Sequence, residues 1–418
     1  MQKKAMLIVP HQDDETNLAG NIIDVIKGQY DLYVLYSSLD ADPTRGKIRK
    51  QEAIDACAVW RVYEDHIIFL NYPDTPNKCG HHFFTDDKCE LIDDLKSKIL
   101  ELKPSIIFAT DFDYHSDHRM ISLAFDISMG QILMEYPLYC PTVLKGFCYE
   151  TAFYSVEDYK ASCPDNSVSN VSPLSNPSYE WDKRVSIHSL EKAGPIWRRK
   201  AYKALEMHKS QYAILHARSI VNQDNVFWLR RTDNLLCAAM LTSSIDGVEK
   251  IRDFLVLDTD DIITANPREI DYSKACCMLG ERDFIQAEWD EPVSFDRIII
   301  HGSVNNDTDV ETDICIMADN KNVGSIKTIR SYGRDTEVLL GSMSVKKLTF
   351  EVVSGSATIS EIEVLNGPSY FAHQKEWMED SNIKQLSALI DLVDVIGYKG
   401  IVFLTRLKRK ITNTFHGK

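Results

Sequence analysis

The sequence lacks the features that mark membrane-spanning, disulfide-rich and nucleic-acid-binding proteins. No apolar run in the 418 residues approaches the ~18 residues that a spanning helix needs, and the ten cysteines form no CxxC pair. The formal net charge is −15, whereas domains that bind nucleic acid are commonly basic. Carboxylates directly follow the first short apolar run, so we expect no signal peptide. These absences predict a cytoplasmic protein with free thiols and no nucleic-acid partner.

The composition is that of ordinary soluble domains, with 44% hydrophobic and 26% charged residues, which excludes a largely disordered or fibrous chain. The length suggests two or three domains. The charge is unevenly distributed along the sequence. Residues 251–320 include seventeen acidic and five basic residues, whereas residues 399–418 include six basic residues and no acidic one.

Strand-like and helix-like patterns alternate over residues 1–150. Apolar runs at 5–9, 66–70 and 105–110 predict buried strands, and residues 47–60 and 86–102 have the apolar spacing of helices. Strands separated by helices of this length favour a parallel sheet with helices on both faces. We therefore predict a Rossmann-like, mostly parallel α/β sheet in a first domain at residues 1–245.

Short alternating segments separated by turn residues replace this pattern after residue 245. Such segments are typical of an all-β sandwich, which we predict for a second domain at residues 246–367. The closing strand ATISEIEVL and the alternation before it resemble discoidin-type, galactose-binding-like modules with a jelly-roll fold. The resemblance implies sugar binding through loops at one end, with Trp289, Tyr332 and Arg334 as candidate contacts. A packing platform or an oligomer interface is the alternative.

The last segment, residues 368–418, has a helical pattern and a basic end. The apolar run 401–404 is followed by Arg406, Lys408, Arg409 and Lys410. As a cationic amphipathic helix, residues 399–418 could make peripheral contact with an anionic membrane at its cytoplasmic face. The alternative is a helix that docks on the acidic second domain with its charges in solvent.

Two motifs rich in Asp and His follow strands of the predicted parallel sheet. PHQDDE (10–15) comes after the first strand and DFDYHSDH (111–118) after the fourth. Ligands of open parallel sheets bind at the carboxyl ends of the strands, so we expect both motifs to line one crevice. Each motif alone has a structural explanation, since carboxylates often cap helices and histidines often lie on surfaces.

These residue types suit metal-assisted hydrolysis of an amide. A catalytic zinc site has three protein ligands and an open position for water, and His11, Asp14 and one histidine of HSDH form such a set. A bound zinc ion lowers the pKa of its water to ~7. Asp13 could accept the proton, and the remaining histidine could stabilise an oxyanion. Asp117 or Asp113 could orient a histidine.

The sequence resembles the LmbE-like/PIG-L family of zinc-dependent N-acetylsugar deacetylases over residues 4–240. The family patterns P-H-P-D-D-E and H-P-D-H correspond to PHQDDE and HSDH, and further matches are RKQE (49–52), YPD (72–74) and KALEMHKSQ (203–211). The resemblance implies that His11, Asp14 and His118 bind one zinc ion. It also implies that Asp13 is the general base and that His115 stabilises the oxyanion.

The resemblance further implies substrate contacts for Arg49 and Asp74, for which a helix-surface ion pair and a turn residue are the alternatives. We expect His208 to be a structural histidine. Gln12 and Ser116 replace prolines of the family motifs, which predicts a less rigid loop with the same ligands. The segment SSLDADP (37–43) replaces a Thr-x-Gly loop of the family, a departure that concerns the substrate and not the metal ligands.

The sequence therefore predicts a zinc-dependent deacetylase that releases acetate and a free amine from an N-acetylglucosamine-type sugar or glycoconjugate. Other divalent ions suit the same nitrogen and oxygen ligands. The alternatives are a two-metal phosphoesterase and a catalytically silent carbohydrate-binding or scaffold protein. The segment CGHHFFTDDKC (79–89) is a candidate second zinc site with no standard ligand spacing; a solvent-facing loop is the alternative there.

Overall fold

The structure is a computed structural model that describes residues 2–74, 83–111, 115–148, 184–191, 196–220, 223–255, 272–303, 308–330 and 335–368, with Phe403 and Leu407. Residues 79–82, Tyr332, Arg334, Asp113 and the rest of the basic tail lie outside this description. None of the helices within it has both the length and the apolar character of a membrane span.

A first sheet of seven strands fills the N-terminal half of the described chain. Its strands are β1 (Lys4–Val9), β2 (Asp31–Leu39), β3 (Ile67–Pro73), β4 (Ile106–Thr110), β5 (Thr142–Gly146), β6 (Arg184–His188) and β7 (Asp224–Arg230). The strand order is β3-β2-β1-β4-β5-β7-β6. The pairs from β3 to β5 are parallel, and β7 pairs antiparallel with both β5 and β6. This arrangement confirms the predicted mostly parallel α/β class.

Helices cover both faces of this sheet. They are α1 (Asp14–Ala19), α2 (Ile23–Gln29), α3 (Pro43–Val59), α4 (Phe83–Leu102), α5 (Ser116–Glu135) and α6 (Lys200–Met207). Alternate residues of β1 enter two different cores, one shared with α2, α3 and α6 and the other with α4 and α5. A strand that is buried on both faces must be apolar throughout, which is why residues 5–9 form an unbroken apolar run.

The first turn of α3 shows how the sequence sets a helix start. The side chain of Asp42 accepts hydrogen bonds from the backbone N–H groups of Thr44 and Arg45, and Pro43 is the first helical residue. Both are strong start signals. They start the helix at Pro43, whereas the apolar spacing alone predicted a start at residue 47.

The second sheet is antiparallel and lies C-terminal to the first. Its strands are β8 (Met240–Ser243), β9 (Cys277–Leu279), β10 (Phe284–Gly302), β11 (Val310–Ala318), β12 (Lys321–Ile329), β13 (Thr336–Gly355) and β14 (Ala357–Leu365). The order is β12-β11-β13-β10-β14-β9, and β8 pairs with β10. Register shifts divide β10, so its first half pairs with β8 and its second half with β14. The buried faces share one core, which confirms the predicted β-sandwich region.

The sheet pairing differs from the predicted boundary at one strand. Met240–Ser243 precedes residue 245 and yet belongs to the second sheet. Arg230, at the end of β7, joins the two sheets through a buried ion pair with Glu361 of β14, with its Nη2 3.4 Å from Oε2. Nearby, the side-chain amide of Asn234 donates to the carbonyl oxygen of Ile362 at 2.8 Å. The two sheets are therefore joined by buried polar contacts.

Candidate metal centre

Three neighbouring strands of the first sheet end beside one cluster of histidine, aspartate and cysteine side chains. β1 leads into His11, β4 leads towards the HSDH segment, and β5 leads into Cys148 two residues beyond its end. The strand order reverses direction between β1 and β4, and such a switch point is where open α/β sheets bind ligands. The topology thus brings together side chains from distant parts of the sequence.

The carboxylate of Asp14 lies between two imidazole rings. Its Oδ2 is 3.0 Å from Nδ1 of His11 and 3.1 Å from Nε2 of His118, and all three side chains are buried. Zinc bonds to such oxygen and nitrogen atoms are ~2.0–2.2 Å long. Asp14 therefore contacts both histidines that the resemblance implies as its fellow ligands, and nitrogen and oxygen donors of this kind suit a divalent ion. Ring nitrogens of His11, His115 and His118 also lie within 4.8 Å of one another, so which of these side chains bind the ion stays a prediction.

A second carboxylate holds the other side of His11. Nε2 of His11 lies 2.7 Å from Oδ2 of Asp117. Burial lowers the pKa of His11, but the hydrogen bonds and charges of Asp117 and Asp14 raise it to about 9. A carboxylate behind a ligating histidine fixes the ring orientation and raises its basicity, so Asp117 orients His11 towards Asp14.

His115 caps the helix that contains Asp117 and His118. Its Nδ1 accepts the backbone N–H of Asp117 at 3.2 Å, and its ring centroid is 4.8 Å from that of His11 and 5.0 Å from that of His118. Burial and the charges of the other two histidines lower the pKa of His115 to about 3. The ring is therefore neutral at pH 7 and carries its proton on Nε2, since Nδ1 acts as an acceptor.

Asp13 has an unusual backbone conformation. Its φ is 140°, in a region that residues with a side chain rarely adopt. The backbone N–H of Asp13 donates to Oε2 of Glu15 at 3.0 Å. Burial and the charge of Asp14 raise the pKa of the Asp13 carboxyl to about 6, against the lowering effect of cations such as His208. Strain of this kind is concentrated at functional sites.

Sequence reasoning missed the role of Glu15. Its Oε1 accepts hydrogen bonds from Nε2 of His208 at 2.9 Å and from the hydroxyl of Thr16 at 2.6 Å. Glu15 and His208 are both buried, so His208 is an ion-pair partner beneath the Asp13 loop. The only signal in the sequence is that Glu15 ends PHQDDE and that His208 lies in the KALEMHKSQ segment.

Arg49 connects three of the resemblance motifs. It donates from Nη1 to Oδ2 of Asp74 at 2.9 Å and from Nη2 to Oε1 of Gln211 at 2.7 Å. The amide of Gln211 in turn donates to the backbone carbonyl of Gln12. Arg49 and Asp74 thus form an ion pair at the crevice, and their contact with substrate stays a prediction.

The structure shows the contacts of Gln12, which replaces a proline of the family motif. The buried Gln12 side chain donates from Nε2 to the carbonyl oxygen of Ser38 at 2.6 Å, so the residue that replaces proline attaches the loop to β2.

Trp289, predicted as a candidate sugar contact, is only 3% exposed, and its Nε1 donates to the carbonyl oxygen of Leu235 at 2.9 Å. It packs in the core of the sandwich and is not available as a sugar contact.

Comparisons with known proteins address the two halves of the chain separately. Residues 6–127 match the family model described as PIG-L: GlcNAc-PI de-N-acetylase. This match confirms, over those residues, the resemblance seen in the motifs. Among the curated proteins, none matches this sequence.

Several solved structures are similar to parts of the chain. N,N′-diacetylchitobiose deacetylase from Pyrococcus horikoshii has 15% identity and a TM-score of 0.36, over 55% of this chain and 84% of that one. The hydratase GalB from Pseudomonas putida KT2440, which acts on 4-carboxy-2-hydroxymuconate, has 16% identity and a TM-score of 0.32, over 55% and 95%. A CBM32 module from Clostridium perfringens, in complex with GalNAc-β-1,3-galactose, has 9% identity and a TM-score of 0.22, over 31% and 96%.

Proposed function

We propose that this chain, whose residues 6–127 form a PIG-L/LmbE family domain, is a metal-dependent deacetylase. Its substrate would be an N-acetylglucosamine-type sugar or glycoconjugate, and its products acetate and a free amine. The main support is the Asp14 carboxylate, which lies about equally close to ring nitrogens of His11 and His118, at 3.0 and 3.1 Å. The neighbouring Asp13 stays outside this set of donors and is available for proton transfer.

The donor set suits a single ion such as Zn²⁺. A divalent ion held by His11, Asp14 and His118 would supply Lewis acidity towards water and the amide carbonyl. Asp13 takes a proton from the attacking water and delivers it to the nitrogen of the leaving amine. The pKa of the Asp13 carboxyl is about 6, so Asp13 is ionised at pH 7. A pKa this close to the working pH lets one carboxyl act first as a base and then as an acid.

His115 is placed to assist at the carbonyl oxygen. Its ring is neutral, and Nε2 carries the proton, because Nδ1 accepts the N–H of Asp117. Nε2–H can therefore donate to the oxygen as negative charge develops there during attack by water. The exposed fraction of its side chain is 31%, whereas the His118 side chain has none, so His115 lies on the solvent side where substrate would enter.

The sugar part of the proposal has two supports. The family description names an N-acetylglucosaminyl lipid as the substrate of that family, and Arg49 with Asp74 offers charged groups beside the crevice. Both side chains are partly exposed, by 11% and 25%, so hydroxyl groups of a sugar could reach them. The cytoplasmic location and the membrane contact of residues 399–418 remain part of the same proposal.

Acetate release is the direct test. The purified chain would be incubated with N-acetylglucosamine, N,N′-diacetylchitobiose and N-acetylglucosaminyl phosphatidylinositol, and acetate and free amine would be measured. We expect equal amounts of both products, loss of activity with a chelator, and recovery when one equivalent of Zn²⁺ per chain is restored. Two metal ions per chain with phosphate release from a phosphate ester would favour the phosphoesterase. Sugar binding without acetate release would favour a silent binding protein.

A further inference from the structure

A buried thiol lies beside the proposed metal ligands. Cys148 follows β5, is fully buried, and its Sγ is 3.3 Å from the hydroxyl of Thr110 at the end of β4. Sγ of Cys148, an oxygen of Asp14 and a ring nitrogen of His118 all lie within 4.8 Å of one another. The mechanism described above uses Asp14 and His118 but gives this thiol no role.

The distances suit a thiolate ligand to the same ion. Zinc–sulfur bonds are ~2.3 Å and zinc–nitrogen bonds ~2.0–2.1 Å, so two such ligands at a tetrahedral angle lie about 3.6 Å apart. A separation of 4.8 Å or less requires only a small movement of one side chain. Zinc also accepts a fifth ligand, so a sulfur ligand is compatible with bound water.

Burial alone does not bring a thiol to this position. Cys57 is also fully buried in the first domain, but its Sγ lies 3.5 Å from the phenolic oxygen of Tyr36. Within the described residues, the groups of donors that could share an ion include Cys148 and no other cysteine. The placement of Cys148 follows from the order of the strands, since β5 is the neighbour of β4.

We propose that Cys148 is a ligand of this ion, through its thiolate, together with Asp14 and His118. The inference rests on the proposed function, because it concerns the ion of that site. Binding replaces the S–H bond by a metal–sulfur bond and releases one proton to solvent. A sulfur ligand favours Zn²⁺ over hard ions such as Mg²⁺ and Mn²⁺, so the site should be selective among divalent ions.

The unmodified full-length protein gives the first test. X-ray absorption at the zinc edge would be recorded on protein loaded with one equivalent of Zn²⁺. We expect one sulfur neighbour at ~2.3 Å besides nitrogen and oxygen neighbours at ~2.0–2.2 Å. A zinc environment of nitrogen and oxygen alone would overturn the proposal and leave the metal site of the proposed function intact. Failure to bind zinc at all would overturn both.

Cobalt substitution gives a second test that uses matched variants. Thiolate ligation to Co²⁺ produces a charge-transfer band in the near ultraviolet, which we expect in the wild type and in Cys57→Ser but not in Cys148→Ser. Zinc affinity would be measured by competition with a chromophoric chelator and should fall at least ~10-fold in Cys148→Ser. Loss of a residue that only hydrogen-bonds to a metal ligand already lowers metal affinity by that factor. An unchanged cobalt spectrum in Cys148→Ser would overturn the proposal.

Discussion

Oε1 of Glu15 accepts a hydrogen bond from Nε2 of His208 at 2.9 Å, across 193 positions of sequence. The other carboxylate oxygen of Glu15 accepts the backbone N–H of Asp13 at 3.0 Å. Burial opposes the charged form of His208, but the charge and hydrogen bond of Glu15 raise its pKa above the usual value. The pair therefore holds the loop in which Asp13 has its unusual conformation.

Removal of His208 should destabilise the first domain. His208→Ala leaves the Glu15 carboxylate buried without its cation, which typically costs about 3–5 kcal/mol. The free energy of unfolding would be measured by urea denaturation, with the exposed neighbour Lys209→Ala as the control, expected within about 0.5 kcal/mol of the wild type. A loss below about 1 kcal/mol in His208→Ala would mean that the ion pair does not contribute as proposed.

Asp13 and Asp14 should respond differently to the same substitution. Asp13→Asn keeps the donor set of His11, Asp14 and His118 but removes the base, so kcat should fall by about 10²–10⁴-fold with one metal ion still bound. Asp14→Asn removes a ligand and should lower metal content as well as activity. Metal content by mass spectrometry and acetate release would be measured on both variants. Loss of metal in Asp13→Asn would make Asp13 a ligand instead.

The cluster of candidate metal ligands could be predicted because its residues are close in sequence to strand ends. PHQDDE follows an unmistakable apolar strand, and HSDH follows another, so the strand-end rule alone placed His11, Asp14 and His118 near one crevice. The apolar periodicity of the sequence could not assign a role to each side chain within the cluster. The assignment of His118 rather than His115 to the metal came from the family resemblance and stays a prediction, since ring nitrogens of His11, His115 and His118 all lie within 4.8 Å of one another.

Contacts between distant segments were beyond sequence reasoning. The strand Met240–Ser243 has only four residues, and its sequence pattern does not predict that it pairs with β10. Cys148 likewise reaches the site because β5 lies beside β4. The sequence around this cysteine matches no motif and does not predict that β5 pairs with β4. The buried pair of Glu15 and His208 depends on how the α6 segment packs over the sheet, which is decided by tertiary contacts rather than by local propensity.

The activity should depend on the ionisation of Asp13. The carboxyl works as a base only when deprotonated, and its pKa is about 6, so kcat/KM should fall as the pH decreases through this value. A bound cation adds positive charge nearby and favours the ionised form, so the midpoint should lie at or below about pH 6. The pH profile of acetate release would be compared with metal content at each pH. An acidic midpoint above pH 7 would contradict the assignment of Asp13 as the base.

The β-sandwich contains a buried histidine whose charge should make stability depend on pH. Nδ1 of His301 lies 3.2 Å from Oδ1 of Asp335, and its Nε2 lies 3.6 Å from Oε1 of Glu363. Burial lowers the pKa of His301, but the hydrogen bonds and charges of the two carboxylates raise it to about 10. A folded-state pKa above the unfolded value of about 6.5 means that folding favours the protonated ring.

The stability that His301 contributes should be fully present below about pH 6.5 and should be lost as the pH rises towards about 10. The free energy of unfolding of the wild type and of His301→Gln would be measured by urea denaturation at pH 6, 8 and 10. We expect the difference in free energy of unfolding between the two proteins to be largest at pH 6 and smallest at pH 10. The variant His188→Gln, in the first sheet, is the control for a general effect of pH. A difference that stays constant over this range would show that His301 is not held as a cation between Asp335 and Glu363.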